Sequence, residues 1–104
     1  MIKPKKLSKK DFLSSFDLTK EELHHILNLS NNFKKKDVNF ELKNKVLGLI
    51  FDKSSTRTRV SFQVAMSRLG GTTIDLNPNT SQIGRGEPIK DTARVLSRYC
   101  DVIA

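Results

Sequence analysis

Residues 51–71 read Phe51-Asp52-Lys53-Ser54-Ser55-Thr56-Arg57-Thr58-Arg59-Val60-Ser61-Phe62-Gln63-Val64-Ala65-Met66-Ser67-Arg68-Leu69-Gly70-Gly71. An apolar run, Val46 to Phe51, leads into this stretch, and an amphipathic run leaves it from Val60. Between them lies a cluster of hydroxyls and guanidiniums, Ser54 to Arg59. A strand that ends in Ser/Thr residues and restarts as a helix forms an anion site. The first helical N–H groups have no acceptor within the helix, and the macrodipole adds about half a positive charge there. Arginine contributes planar, bidentate donors suited to phosphate or carboxylate. Arg57 and Arg59 stand two apart on the expected helix and so point to different sides. At most one of them faces a ligand squarely, and the other pairs with protein.

Upstream, the continuous apolar run Val46 to Phe51 predicts a strand buried on both faces, as in a parallel sheet. Gly48 within it permits close approach of another element. Downstream, Phe62, Ala65, Met66 and Leu69 fall on one helical stripe, widened by Val60 and Val64, and Gly70-Gly71 stops the helix. Thr72 to Leu76 reads as a second strand and Asn77 to Asn79 as a turn. Ser81-Gln82-Ile83-Gly84-Arg85-Gly86-Glu87 lies in a polar, glycine-bearing loop, and Pro88 suits the first turn of a third helix. Ile89, Ala93 and Leu96 line one face of that helix, and Asp101 to Ala104 begins a third strand.

Toward the N-terminus, Thr19-Lys20-Glu21-Glu22 is a capping box that opens a helix over about 20–36, with Leu23, Ile26, Leu27 and Phe33 along one face. His24 and His25 are adjacent and diverge by about 100°, so they do not converge on a metal and read as surface or boundary residues. Residues 1–10 form a lysine-rich polar arm, and Asp11, Phe12 and Leu13 are the first expected anchor, joined to the helix by a connection over Ser14 to Leu18. The order helix, strand, helix, strand, helix, strand predicts an α/β fold: a three-layer sandwich with a parallel sheet, incomplete at three strands. Because the sequence stops inside an expected buried strand, it reads as a fragment, one partial domain over residues 1–104.

Composition narrows the function classes. The chain has 104 residues, 37% of them hydrophobic, which suits one small globular domain. Its one cysteine, Cys100, excludes an internal disulfide framework, fits a reducing compartment and reads as a core thiol. No apolar run approaches ~20 residues, and the N-terminal stretch lacks the apolar core of a secretory signal, so no membrane partner and a cytoplasmic location are expected. A net charge of +8 raises nucleic acid as a partner, but the lysine runs around Lys5 and Lys35 carry no interleaved aromatics for base stacking. The positive field serves equally to steer a small anion.

Ser55-Thr56-Arg57-Thr58-Arg59, followed by Ser61-Phe62 and then Leu69-Gly70-Gly71, resembles the carbamoyl-phosphate loop of the aspartate/ornithine carbamoyltransferases, and the resemblance extends over nearly all of residues 8–104. It implies that this chain is the first part of the carbamoyl-phosphate-binding domain, with the amine-binding (ornithine) domain absent. Carried over, Ser55, Thr56, Arg57 and Thr58 hold carbamoyl phosphate. Arg57 and Thr58 are the catalytic pair, Arg57 neutralising the departing phosphate and Thr58 polarising the carbamoyl carbonyl. Gln82 matches a glutamine that reaches the carbamoyl phosphate of a neighbouring subunit in ornithine-type members, which implies a homotrimer. The wording around Gln82 and Gly84-Arg85-Gly86-Glu87 resembles that type more than the aspartate type. The implied reaction carries the carbamoyl group to L-ornithine, giving L-citrulline and phosphate, with no cofactor and no metal. The alternatives are an aspartate or other amine carbamoyltransferase and a non-catalytic anion-binding module. With the amine site missing, the 104 residues alone are expected to be inactive.

Overall fold

The structure is a computed structural model that describes residues 4–36, 40–51, 55–76 and 89–104. The chain divides into two compact units, residues 1–40 and 41–104.

In the first unit, helix α1 spans Lys20–Lys34. Thr19 caps it as expected: its hydroxyl accepts from the Glu22 N–H at 3.1 Å, and the Glu22 carboxylate accepts from the Thr19 N–H at 2.9 Å. The helix stops two residues before the expected end, where Lys36 takes a left-handed φ of 57°. The arm lies along α1: the Ser8 N–H donates to Glu22 at 2.6 Å and the Lys5 N–H to His25 Nε2 at 3.0 Å. Ser14 to Leu18, expected as a plain connection, contains a 3-10 turn, Ser15–Asp17, with its own capping box between Ser14 and Asp17. The expected anchor at Phe12 and Leu13 is corrected: the two side chains are 64% and 89% exposed. The order in this segment comes from Asp17, which accepts the Leu13 and Ser14 N–H groups at 2.7 and 3.1 Å, and from polar capping rather than apolar burial.

These contacts make the first unit sensitive to acid. Backbone hydrogen bonds from Thr19 and then Ser8 hold the Glu22 carboxyl below its ordinary value of 4.5, and bonds from Leu13 and Ser14, with Lys9, do the same for Asp17. A lowered folded-state pKa contributes stability that is present above the ordinary carboxylate range and is lost as pH falls through the folded value. Protection of the Thr19 and Ser8 amides from hydrogen exchange, expressed relative to the intrinsic rate at each pH, should therefore be high near neutral pH and fall as pH drops below the ordinary carboxylate range. Glu22→Gln should flatten that profile, and a profile unchanged by the substitution would contradict the assignment.

In the second unit, strands β1 (Val46–Ile50), β2 (Thr72–Leu76) and β3 (Val102–Ile103) form a parallel sheet in the order β2-β1-β3. β1 is central, and its interior residues Leu47, Gly48 and Leu49 are buried, as its uninterrupted apolar sequence requires. The strand ends at Ile50, leaving Phe51 outside it. Helix α2 (Thr56–Arg68) joins β1 to β2, and helix α3 (Ile89–Tyr99) precedes β3. β2 and β3 lie on opposite sides of β1, so right-handed crossovers put the two helices on opposite faces of the sheet. Side-chain alternation agrees. Leu47 and Leu49 pack with Met66 of α2 on one face. On the other, a Cβ added at Gly48 would stand 3.0 Å from Cys100 Sγ, just past the end of α3. The expected three-layer α/β arrangement is therefore present, with Gly48 serving the close approach its position suggested.

α2 ends in the manner its glycines predict. Gly70 adopts φ 86°, and the Gly71 and Gly70 N–H groups bond back to Met66 and Ser67 at 2.8 and 3.2 Å, a Schellman closure. Of the expected apolar stripe only Met66 is buried. Phe62, Ala65 and Leu69 line an open groove of about 560 Å³ shared with Leu47 and Val102. β3 is registered on β1 by Asp101, whose N–H donates to the Val46 carbonyl at 2.9 Å while its carboxylate accepts the Val46 N–H at 2.8 Å. The third helix and strand fall where the sequence placed them. Residues 77–88, including the expected turn and glycine-bearing loop, lie outside the described residues.

Candidate anion site at the start of the second helix

In an open parallel sheet, ligands bind outside the carboxyl ends of the strands, where successive connections leave in opposite directions. The order β2-β1-β3 puts that point at β1 and β3. There the Ile50 N–H donates to the Ala104 carbonyl and the Ala104 N–H to the Gly48 carbonyl, both at 2.8 Å. The chain leaving β1 at the same end enters α2 through Ser55. Topology thus delivers the Ser/Thr/Arg cluster to the expected binding edge.

The first turn of α2 departs from ordinary helix chemistry. α1 obeys the usual rules, with a Thr cap, a capping box and Glu21 and Glu22 in its first turn. α2 has Ser55 at the cap position with φ −129° and ψ 57°, and the Ser55 side chain makes no capping hydrogen bond. Its first turn contains no acidic residue and begins Thr56-Arg57-Thr58. The Arg59 N–H is accepted by the Ser55 carbonyl at 2.9 Å, so the N–H groups of Thr56, Arg57 and Thr58 precede the first intrahelical bond. Cationic side chains at this end oppose the macrodipole and lower helix stability. A turn so built trades local stability for positive potential, and three N–H groups with exposed hydroxyls at Thr56 and Thr58 suit a tetrahedral oxyanion.

The two arginines separate as their spacing requires. Arg59 Nε stands 3.4 Å from Asp75 Oδ2 on β2, each side chain about one-third exposed. Arg57 is exposed and, among the described residues, makes no ion pair with Asp or Glu. Asp75 escaped sequence reading. The available signal was a lone carboxylate at the fourth position of a short strand, Thr72–Leu76. Gln82, which the resemblance assigns to the carbamoyl phosphate of a neighbouring subunit, lies outside the described residues, as does Ser54. No group of three or more His, Cys, Asp and Glu that could hold a metal ion occurs among the described residues.

Comparisons with known proteins place the chain in a family. The family model described as aspartate/ornithine carbamoyltransferase, carbamoyl-P binding domain, matches residues 10–104. The chain belongs to the aspartate/ornithine carbamoyltransferase family. It is 79% identical over 104 residues to an ornithine carbamoyltransferase of Prochlorococcus marinus subsp. pastoris, covering all of this chain and 34% of that protein. Among solved structures, ornithine carbamoyltransferase from Gloeobacter violaceus superposes with a TM-score of 0.80 at 47% identity, over 94% of this chain and 31% of that one. The catalytic subunit of M. jannaschii aspartate transcarbamoylase gives 0.74 at 38% identity, over 91% and 33%. The chain thus spans about a third of the length of the relatives it matches. No helix among the described residues is long and apolar enough to cross a membrane.

Proposed function

We propose that the full-length protein containing this chain transfers the carbamoyl group of carbamoyl phosphate to L-ornithine, and that this chain supplies the carbamoyl-phosphate half of the site. The observation that carries the reading is the first turn of α2, with its free N–H groups, uncapped Ser55, absent acid and exposed Arg57 at the binding edge of the sheet. Ser55, Thr56 and the leading N–H groups hold the phosphate oxygens. Thr58 donates to the carbamoyl oxygen, making the carbon more electrophilic. The amine nitrogen attacks that carbon and loses a proton, the bond from carbon to the phosphate oxygen breaks, and Arg57 meets the charge gathering on the leaving phosphate. The protein's contribution is positioning and preorganised positive potential, with no covalent intermediate.

The acceptor is read from the wording around Gln82 and supported by the 79% identity to the ornithine carbamoyltransferase of Prochlorococcus marinus subsp. pastoris. L-Ornithine is bound by a second domain outside this chain, Gln82 serves the site of a neighbouring subunit in a homotrimer, and the reaction takes place in the cytoplasm. The test uses the purified full-length protein with carbamoyl phosphate and either L-ornithine or L-aspartate. Citrulline from the first, with no carbamoyl aspartate from the second, is the expected result. Product only with aspartate would reassign the acceptor. Phosphate binding without turnover on either amine would make the domain a non-catalytic anion-binding module.

A further inference from the structure

The Arg59–Asp75 ion pair has no part in the chemistry above, yet its placement ties the first turn of α2 to β2, which pairs with the central strand of the sheet. We infer that Asp75 is a positioning residue: through Arg59 it fixes the first turn of α2, and so sets how tightly that turn grips a phosphate group. The inference rests on the reading of Ser55 to Thr58 as a phosphate site.

Three observations carry it. Arg59 is the residue whose N–H closes the first turn, bonding to the Ser55 carbonyl at 2.9 Å. The same residue's side chain reaches Asp75 at 3.4 Å. One residue therefore holds the turn by its main chain and the sheet by its side chain. Asp75 in turn is registered opposite Leu49, the one fully buried large side chain of the core, so its backbone is paired to the central strand β1. The path from Leu49 to Asp75, to Arg59 and to Ser55 is contiguous. A partly exposed pair contributes little to global stability, so stability alone does not account for an arginine placed where it opposes the helix dipole.

The pair also makes a prediction whose sign is diagnostic. If Asp75 acted only through its charge, removing a negative group near an anion site would tighten phosphate binding. A positioning role requires the opposite, because release of the turn disperses the N–H and hydroxyl groups that converge on the anion. In the full-length protein, Asp75→Asn and Arg59→Gln are each expected to weaken inorganic phosphate binding by about tenfold and to raise the KM for carbamoyl phosphate in parallel. The double variant should be no weaker than the weaker single, since either change breaks the same tie. Arg59→Lys, which keeps the charge without the guanidinium fork, should recover only part of the loss. Thermal unfolding is followed on every variant. Calorimetry with inorganic phosphate reads the outcome. Unchanged or tighter binding by Asp75→Asn overturns the inference. So do losses that multiply in the double variant, or a loss that disappears once binding is expressed per folded protein. A wild type that binds neither phosphate nor carbamoyl phosphate overturns the anion-site reading itself, and this inference with it.

Discussion

Arg57→Ala in the full-length protein is expected to lower citrulline formation about a hundredfold while leaving thermal unfolding within a few degrees of wild type. The size follows from the role. A charge-assisted contact made to a leaving phosphate is worth ~3 kcal/mol in the transition state, and each 1.36 kcal/mol is about tenfold in rate. Small structural damage follows from the environment, because Arg57 is exposed and makes no ion pair with Asp or Glu among the described residues. Removing a cation from the first turn should even relieve some of its conflict with the macrodipole. The loss should fall mainly on kcat, since charge on the departing oxygen grows as the bond breaks. Arg59→Ala presents the contrast: its side chain is committed to Asp75, so its effect reaches the ligand only through the turn. Steady-state kinetics beside thermal unfolding separates the two, and near-wild-type turnover by Arg57→Ala would remove Arg57 from the mechanism.

The second large effect is expected from mixing two inactive proteins. If Gln82 completes the site of a neighbouring subunit, each site in a closed trimer combines one chain's Ser55–Thr58 turn with another chain's Gln82. An Arg57→Ala chain retains its Gln82, and a Gln82→Ala chain retains its turn. Random exchange of equal amounts pairs an intact turn with an intact glutamine at roughly one site in four, so about a quarter of wild-type activity should return. The remaining sites carry one or both defects. If Gln82 acts within its own chain, every site keeps one defect and nothing returns. Native mass spectrometry verifies exchange and trimer formation. Verified exchange without recovered activity would rule out the shared site.

The same residues show where sequence reading succeeds. The capping box at Thr19 and Glu22, the apolar strand Val46–Ile50 and the Gly70-Gly71 stop all involve partners within five residues, or burial on both faces of one strand. Local geometry fixes such features, so the sequence alone is sufficient for them. The start of the second helix was legible for the same reason, because the apolar run, the Ser/Thr/Arg cluster and the amphipathic run that follow one another there are local, and α2 begins at Thr56. Phe12 and Leu13 mark the limit, because apolar character alone does not say whether a partner surface exists, and here polar caps set the local order.

Sequence by itself determined that Arg57 and Arg59 diverge, that one strand is apolar and buried on both faces, and that a run of hydroxyls and arginines opens the second helix. Which arginine is paired was a tertiary decision. Helical spacing limits the pair to one squarely ligand-facing member but does not choose it. The choice was made by Asp75, sixteen residues beyond Arg59, which comes within reach only when β2 pairs with β1 in the observed register. Asp101 sets the start of β3 against Val46 in the same way, across 55 residues. Strand order was likewise decided by packing, since the local pattern of alternating helices and strands is the same whichever side of β1 receives β3. The physical reason is common to all three: hydrophobic period and capping act over a turn or a strand, whereas a side chain's distant partner is defined only once the sheet has fixed the directions of its strands.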